Sequence, residues 1–165
     1  MKLIALFLVF GVAFCNKVTQ DKPAWADEKM FGVYQDSWKS IKGDFTSVYY
    51  LAKVTYDNDT VWGPNFTCLT VKATSVSEQE KRVQAVFTYR DERLRIQKLE
   101  ENVYAVKEYN YSTENAITYQ TQKGNLTDVL AFSDGKSCDI YYVPGTYSSE
   151  EGYELWVTDV MNINP

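Results

Sequence analysis

Histidine is absent from the 165-residue chain. Its absence excludes Ser–His and Cys–His nucleophilic sites and histidine-ligated metal centres. Paired carboxylates remain as a route to hydrolytic chemistry. Basic residues are also short, with 17 Lys and Arg against 22 Asp and Glu and a formal charge of -5. No basic stripe is visible, so nucleic acid is not an expected partner. The acidic balance favours cationic partners instead. Cysteine is scarce, at three residues, and no internal repeat, low-complexity tract or domain linker interrupts the chain. The length suits one domain.

What the chain has in excess is aromatic. Tyr, Trp and Phe make up 15% of the residues, with 13 Tyr and 4 Trp. Tyr and Trp offer apolar bodies with polar tips, suited to β cores and ligand pockets. The N-terminus reads as a secretory signal. Met1-Lys2 gives a positive start, Leu3 to Phe14 is apolar, and Ala13-Phe14-Cys15 supplies the cleavage region. Residues 1–15 are expected to be removed, with a site before Asp21 as the alternative. This run is too short to span a bilayer, and no later stretch is long and apolar enough. Four sequons follow, at Asn58, Asn65, Asn110 and Asn125, which fits a glycosylated, secreted, extracellular chain. Cys68 and Cys138 remain after cleavage. In an oxidising compartment they pair with each other or with partners outside the chain.

Residues 21–26 read as an extended leader. Asp27 caps a helix expected to run to about Lys42, with Met30, Tyr34, Trp38 and Ile41 as one apolar stripe. Gly43-Asp44 ends it. Eight strand-like segments come next: 47–56, 65–74, 82–89, 93–99, 103–109, 116–121, 127–132 and 139–143, with Tyr153 to Val157 after them. Short sequential strands behind one helix predict an all-β, up-and-down antiparallel barrel able to hold one small ligand. A two-sheet sandwich shares the same local pattern.

The stretch Cys138 to Gly145 and the segment Tyr153 to Val157 carry the chemistry. Strand side chains alternate faces, so Asp139 shares a face with Tyr141 and Val143, and Glu154 shares one with Trp156. Each strand sets a carboxylate beside an aromatic. Such pairs suit a small cation, neutralised by the acids and covered by the rings. Asp128 shares parity with Leu130 and Phe132, Glu101 precedes the Val103 segment, and Asp59 lies between Tyr56 and Trp62. Taken singly, a turn acid such as Asp59 is an ordinary turn former. The repeated acid–aromatic pairing is what points to a pocket. Inward acids without Lys or Arg would repel one another and hold raised pKa values, which a cationic ligand would relieve.

Pro23-Ala24-Trp25-Ala26-Asp27-Glu28, Gln35-Asp36-Ser37-Trp38, Val61-Trp62-Gly63, Phe66-Thr67-Cys68, Cys138-Asp139-Ile140, Tyr142-Val143-Pro144-Gly145 and Tyr153-Glu154-Leu155-Trp156 together closely resemble the tick salivary histamine-binding lipocalins. The likeness runs from about Pro23 to the C-terminus. It implies an eight-stranded lipocalin barrel with an N-terminal helix and up to two internal sites for biogenic amines. Members sequester histamine, and some serotonin, at the bite, blunting the host's inflammatory response. The positions matching the family's pocket are Asp44, Tyr56, Asp59, Trp62, Glu101, Tyr119, Asp128, Asp139, Glu154 and Trp156. Ile117 and Leu126 stand where close members carry phenylalanines, which removes two π faces. In the family the cysteines matching Cys68 and Cys138 bond to cysteines in a C-terminal helical tail. This chain ends at Pro165 before either partner, so residues 21–165 read as a lipocalin domain lacking that tail. The resemblance implies a monomer that uses no cofactor or metal, binds no membrane and is not an enzyme. A lipocalin for an apolar or lipid mediator, such as a leukotriene, fatty acid or sterol, is the alternative.

Overall fold

The computed structural model describes residues 22–57, 59, 61–121, 124–145 and 151–158. The signal segment, the Asn58 sequon and the last residues lie outside that set. Eight antiparallel strands close into a barrel in sequential order: β1 (Tyr49–Val54), β2 (Thr67–Ser77), β3 (Arg82–Arg90), β4 (Ile96–Val106), β5 (Ala116–Thr121), β6 (Gly124–Ser133), β7 (Cys138–Val143) and β8 (Gly152–Val157). The expected barrel is present and the sandwich is not.

Two features of the strand reading change. The segments expected at 93–99 and 103–109 are one continuous strand, β4, laddered to β3 from Arg82↔Tyr104 to Arg90↔Ile96. Glu100 and Asn102 look like a break but face solvent, while Glu101 between them takes the inward, partly buried position. The Tyr153 to Val157 segment, set outside the eight, is the closing strand. It pairs with β7 on one side and β1 on the other.

Alternation builds the interior. Leu69, Val71 and Ala73 of β2, Val83, Ala85 and Phe87 of β3, and Val103 and Ala105 of β4 are all buried, with more exposed residues between them. The β1–β2 seam differs from the rest. It is paired at Tyr49↔Val71 and Tyr50↔Thr70, and beyond these the strands diverge around a groove lined by Leu51, Val54, Phe66 and Leu69.

The N-terminal helix is broken where one continuous helix was expected. Asp27 caps α1 (Glu28–Phe31), a 3-10 turn spans Gly32–Tyr34, and Asp36 caps α2 (Ser37–Gly43). Met30 and Tyr34 are accordingly 67% and 47% exposed, while Trp38 and Ile41 are buried as the stripe requires. The break has an identifiable cause in Gln35, which is fully buried. Its Nε2 donates to Trp25 O and Ala131 O at 3.0 and 2.9 Å, and its Oε1 accepts from Tyr111 Oη at 2.6 Å. A straight helix could not hold that side chain inward and also bring Ser40 to the barrel. The leader also departs from an extended form, since Ala26 N donates to Pro23 O across a turn.

The strand order settles one of the cysteine alternatives. Cys68 on β2 and Cys138 on β7 are free thiols, and β1 and β8 lie between their strands. Three interstrand spacings of about 4.8 Å put them beyond the roughly 7 Å Cα limit of a disulfide, so they do not pair with each other. Asn65, Asn110 and Asn125 are exposed.

Replacing Gln35 with Leu removes the donor to two part-buried carbonyls and the acceptor of the buried Tyr111 hydroxyl. The expected cost is about 3 kcal/mol, read as a lower urea midpoint at unchanged slope.

Candidate functional site

A cavity lies inside the barrel, between α2 at one end and the β1–β2 connection at the other. The space open to the centre of a water-sized sphere is about 60 Å³. Among the described residues, five acids lie in or at it and no Lys or Arg lines it.

The first group forms at α2. Ser40 and Asp44 are four residues apart and so share a face of the helix end, and both line the cavity. Ser40 Oγ donates to Asp139 Oδ2 at 2.7 Å and shares a hydrogen bond with Tyr141 Oη at 2.8 Å. Asp139 and Tyr141 alternate inward on β7, and Tyr49 of β1 completes the group. Burial, and then the neighbouring Asp139 charge, push Asp44 well above the usual carboxylate range. Burial also raises Asp139, against the opposing donors Ser133 and Ser40.

The second group forms toward the β1–β2 connection. Glu154 and Trp156 are neighbours on the inner face of β8, and Trp156 Nε1 donates to Glu154 Oε2 at 2.8 Å. Tyr56 Oη donates to Glu154 Oε1 and lies 3.1 Å from Asp59 Oδ2. Asp59 is also a turn former: its Oδ1 accepts from the backbone of Val61 and Trp62 at 2.6 and 2.9 Å. Trp62 then packs edge-on against Tyr89 and tilted by 40° against Phe87. Across the barrel, Tyr119 Oη donates to Asp128 Oδ2 at 2.9 Å. Burial is the main force on both inner acids. It raises Glu154 to about 7 despite the Tyr56 and Trp156 donors. It raises Asp128 well above its ordinary value, helped by the Glu154 charge and opposed by Tyr119.

Of the twelve positions expected from the sequence, Asp44, Trp62, Ile117, Tyr119, Asp128, Asp139, Glu154 and Trp156 line the cavity directly. Tyr56 and Asp59 reach it through Glu154. Leu126 is buried on the same face as Asp128 but does not line it. Glu101 stands apart. It lies in a separate groove with Tyr104, Thr118, Gln120 and Asn125, and also Tyr119, where β4 and β5 diverge. Ser40 and Tyr49 were not among the expected positions. Ser40 was findable from the four-residue spacing to Asp44, and Tyr49 only once the register of β1 is known.

The donors around the acids are hydroxyl and indole groups, with backbone amides at Asp59, and among the described residues no three His, Cys, Asp or Glu converge to hold a metal ion. An apolar belt that includes Val71, Val83, Ala85 and Phe87 joins the two groups. Chemically, the cavity is arranged to accept positive charge on a small organic body.

Residues 25–164 match the family model described as tick histamine binding protein. The chain is 45% identical over 165 residues to female-specific histamine-binding protein 1 of Rhipicephalus appendiculatus, covering 99% of this chain and 85% of that one. It is 42% identical over 160 residues to a male-specific histamine-binding salivary protein of the same tick, covering 93% and 78%. Among solved structures, apocrustacyanin C2 superimposes with a TM-score of 0.54 at 12% identity, over 74% of this chain and 66% of that one. That likeness concerns the lipocalin fold alone.

The raised acids set a pH dependence. A carboxylate whose folded pKa exceeds its unfolded value stabilises the fold below the unfolded value, and that stability is lost as pH rises through the folded one. For Glu154 the window runs from 4.5 to about 7. Asp134, where backbone and Ser137 donors outweigh burial and hold the pKa at about 2, acts only at lower pH. The unliganded chain is expected to melt several degrees higher near pH 5 than near pH 8, since a shift of this size is about 3 kcal/mol. Glu154→Gln should shrink that difference in calorimetric melts at fixed ionic strength.

Proposed function

Because the chain belongs to the tick histamine-binding protein family, a family of binding proteins, we propose that it is a secreted lipocalin that sequesters histamine or a related amine. The observation that supports this most is the cavity itself: buried carboxylates, raised by burial, facing one space with no Lys or Arg among the described residues to neutralise them. An ammonium entering that space supplies the missing charge. Tyr56, Tyr119 and Trp156 hold the acids in place by donating to them. Trp62, Phe87 and Trp156 give the ring of an aromatic amine its cover. Ile117 retains apolar contact without a π face, so stacking falls to these three. Removal of free histamine from a wound would then suppress the host's response, with serotonin as a second candidate amine.

The reading is tested by calorimetric titration of the folded chain with histamine and, in parallel, serotonin. Saturable histamine binding is expected, tighter than serotonin, whose larger ring system strains a cavity of about 60 Å³. The double substitution Asp139→Asn with Glu154→Gln should weaken histamine about 100-fold, each charge-assisted hydrogen bond being worth roughly 1.5–3 kcal/mol. Because Glu154 is partly protonated near neutral pH, binding of the cation should release a proton. The measured enthalpy should therefore vary with the ionisation enthalpy of the buffer. Unchanged affinity in the double variant would sink the proposal, and lipid carried by a chain that ignores both amines would favour an apolar ligand instead.

A further inference from the structure

The inward row of β8 reads Gly152, Glu154, Trp156. All three are buried, and Tyr153 between the first two is exposed. A glycine at an inward strand position gives up a side chain that would pack, and it marks a bulge or a close approach. Backbone conformation does not require glycine here. Among the described residues the glycines in the left-handed region are Gly63, Gly124 and Gly135, and Gly152 is not one of them.

The requirement is space. A Cβ built on Gly152 would stand 2.9 Å from Cδ1 and 3.3 Å from Cβ of Tyr56, and 2.8 Å from Thr55 Oγ1. The Thr55 hydroxyl can rotate away, at the loss of the bond it accepts from Tyr153 N at 2.8 Å. Tyr56 has no such freedom, because the crowded atoms are the root and near edge of its ring, and relief moves the whole ring. Strand register accounts for the meeting. β1 and β8 pair at Lys53↔Leu155 and Val54↔Glu154, and Thr55 N donates to Tyr153 O at 3.1 Å. One step further, the same register sets Tyr56 opposite Gly152. The buried Tyr56 ring occupies the place a side chain at 152 would take. From there its hydroxyl donates to Glu154 and lies 3.1 Å from Asp59 Oδ2.

We propose that Gly152 is the positioning residue of the Glu154 carboxylate: the space left by its absent side chain seats the Tyr56 ring, and that seat keeps the Tyr56 hydroxyl on Glu154. Gly152 does not itself line the cavity; it acts through Tyr56. The consequence for amines rests on the proposed binding function and deepens it. The Tyr56 donor favours the charged form of Glu154, and that is the form an ammonium pairs with. A methyl group at 152 displaces the ring, takes the donor away and leaves Glu154 with Trp156 Nε1.

The test compares Gly152→Ala, Tyr56→Phe and the double variant in the full chain. Histamine affinity is measured calorimetrically near neutral pH, and melting without ligand is followed from about pH 5 to pH 8. Gly152→Ala is expected to weaken histamine about tenfold, as Tyr56→Phe does, one hydrogen bond to a charged group being at stake. In the Tyr56→Phe background it should add less than about twofold, since both substitutions remove the same bond. Without ligand, each single variant should extend the fall in melting temperature to higher pH, because Glu154 loses a donor that lowers its pKa. An equal loss of affinity in both backgrounds, or an unshifted melting profile, overturns the proposal and leaves Gly152 a part of the β8 ladder only. If the unsubstituted chain ignores histamine while Gly152→Ala still shifts the melting profile as Tyr56→Phe does, the amine reading falls and the positioning role stands. Should Gly152→Ala fail to fold, adding Tyr56→Ala vacates the seat. Recovered folding then supports the proposal, and continued failure overturns it.

Discussion

Moving a carboxylate out of water is the cost around which this barrel is arranged. Asp44, Asp128, Asp139 and Glu154 are all buried, and burial is the largest influence on each. The fold tolerates them by partial means. Hydroxyl and indole donors are supplied at Asp128, Asp139 and Glu154, and protons are held tightly where donors are too few. Among the described residues, no cation is built into the cavity wall. Desolvation without full compensation leaves a free-energy cost in the cavity, of the kind that positive charge relieves. The same cost weakens the fold at alkaline pH.

The two groups of acids depend on different parts of the chain. The one at α2 exists because the helix breaks at Gln35 and restarts at Asp36, which brings Ser40 and Asp44 over the barrel end. The one at the opposite end exists because Asp59 closes a turn through the backbone of Val61 and Trp62 while its second oxygen faces Tyr56. In both places an ordinary piece of local structure, a helix cap or an Asx turn, positions a group for the interior.

Much of this was legible in the sequence. Strand parity alone placed Asp139 with Tyr141 and Glu154 with Trp156, because a two-residue period fixes the face once the strand is recognised. The closed barrel followed from the succession of short strands. What failed did so for tertiary reasons. The Met30–Tyr34–Trp38–Ile41 stripe has helical spacing throughout, but the partners of Gln35 lie on the leader, on Tyr111 and on β6, far away in sequence. Glu100–Asn102 has the composition of a loop, yet β3 pairs with it across its whole length. Glu101 has the right parity for the cavity, but β4 parts from β5 at that level and the residue falls in a side groove. Resemblance supplied Asp44 and Tyr119, which parity had not reached.

The two-rung pairing of β1 with β2 has a mechanical meaning. β1 is laddered to β8 from Tyr50↔Val157 to Val54↔Glu154 but held to β2 at its first residues only. Every other seam in the barrel is zipped along more of its length. Opening free energies within a fold follow the local density of such bonds, so β1 and β2 can part without breaking the ladders that carry Asp128, Asp139 and Glu154. The segment released by that parting leads directly to Tyr56, Asp59 and Trp62. The wall of this barrel is thus firmly laddered along the strands that carry Asp128, Asp139 and Glu154 and loosest at the β1–β2 seam.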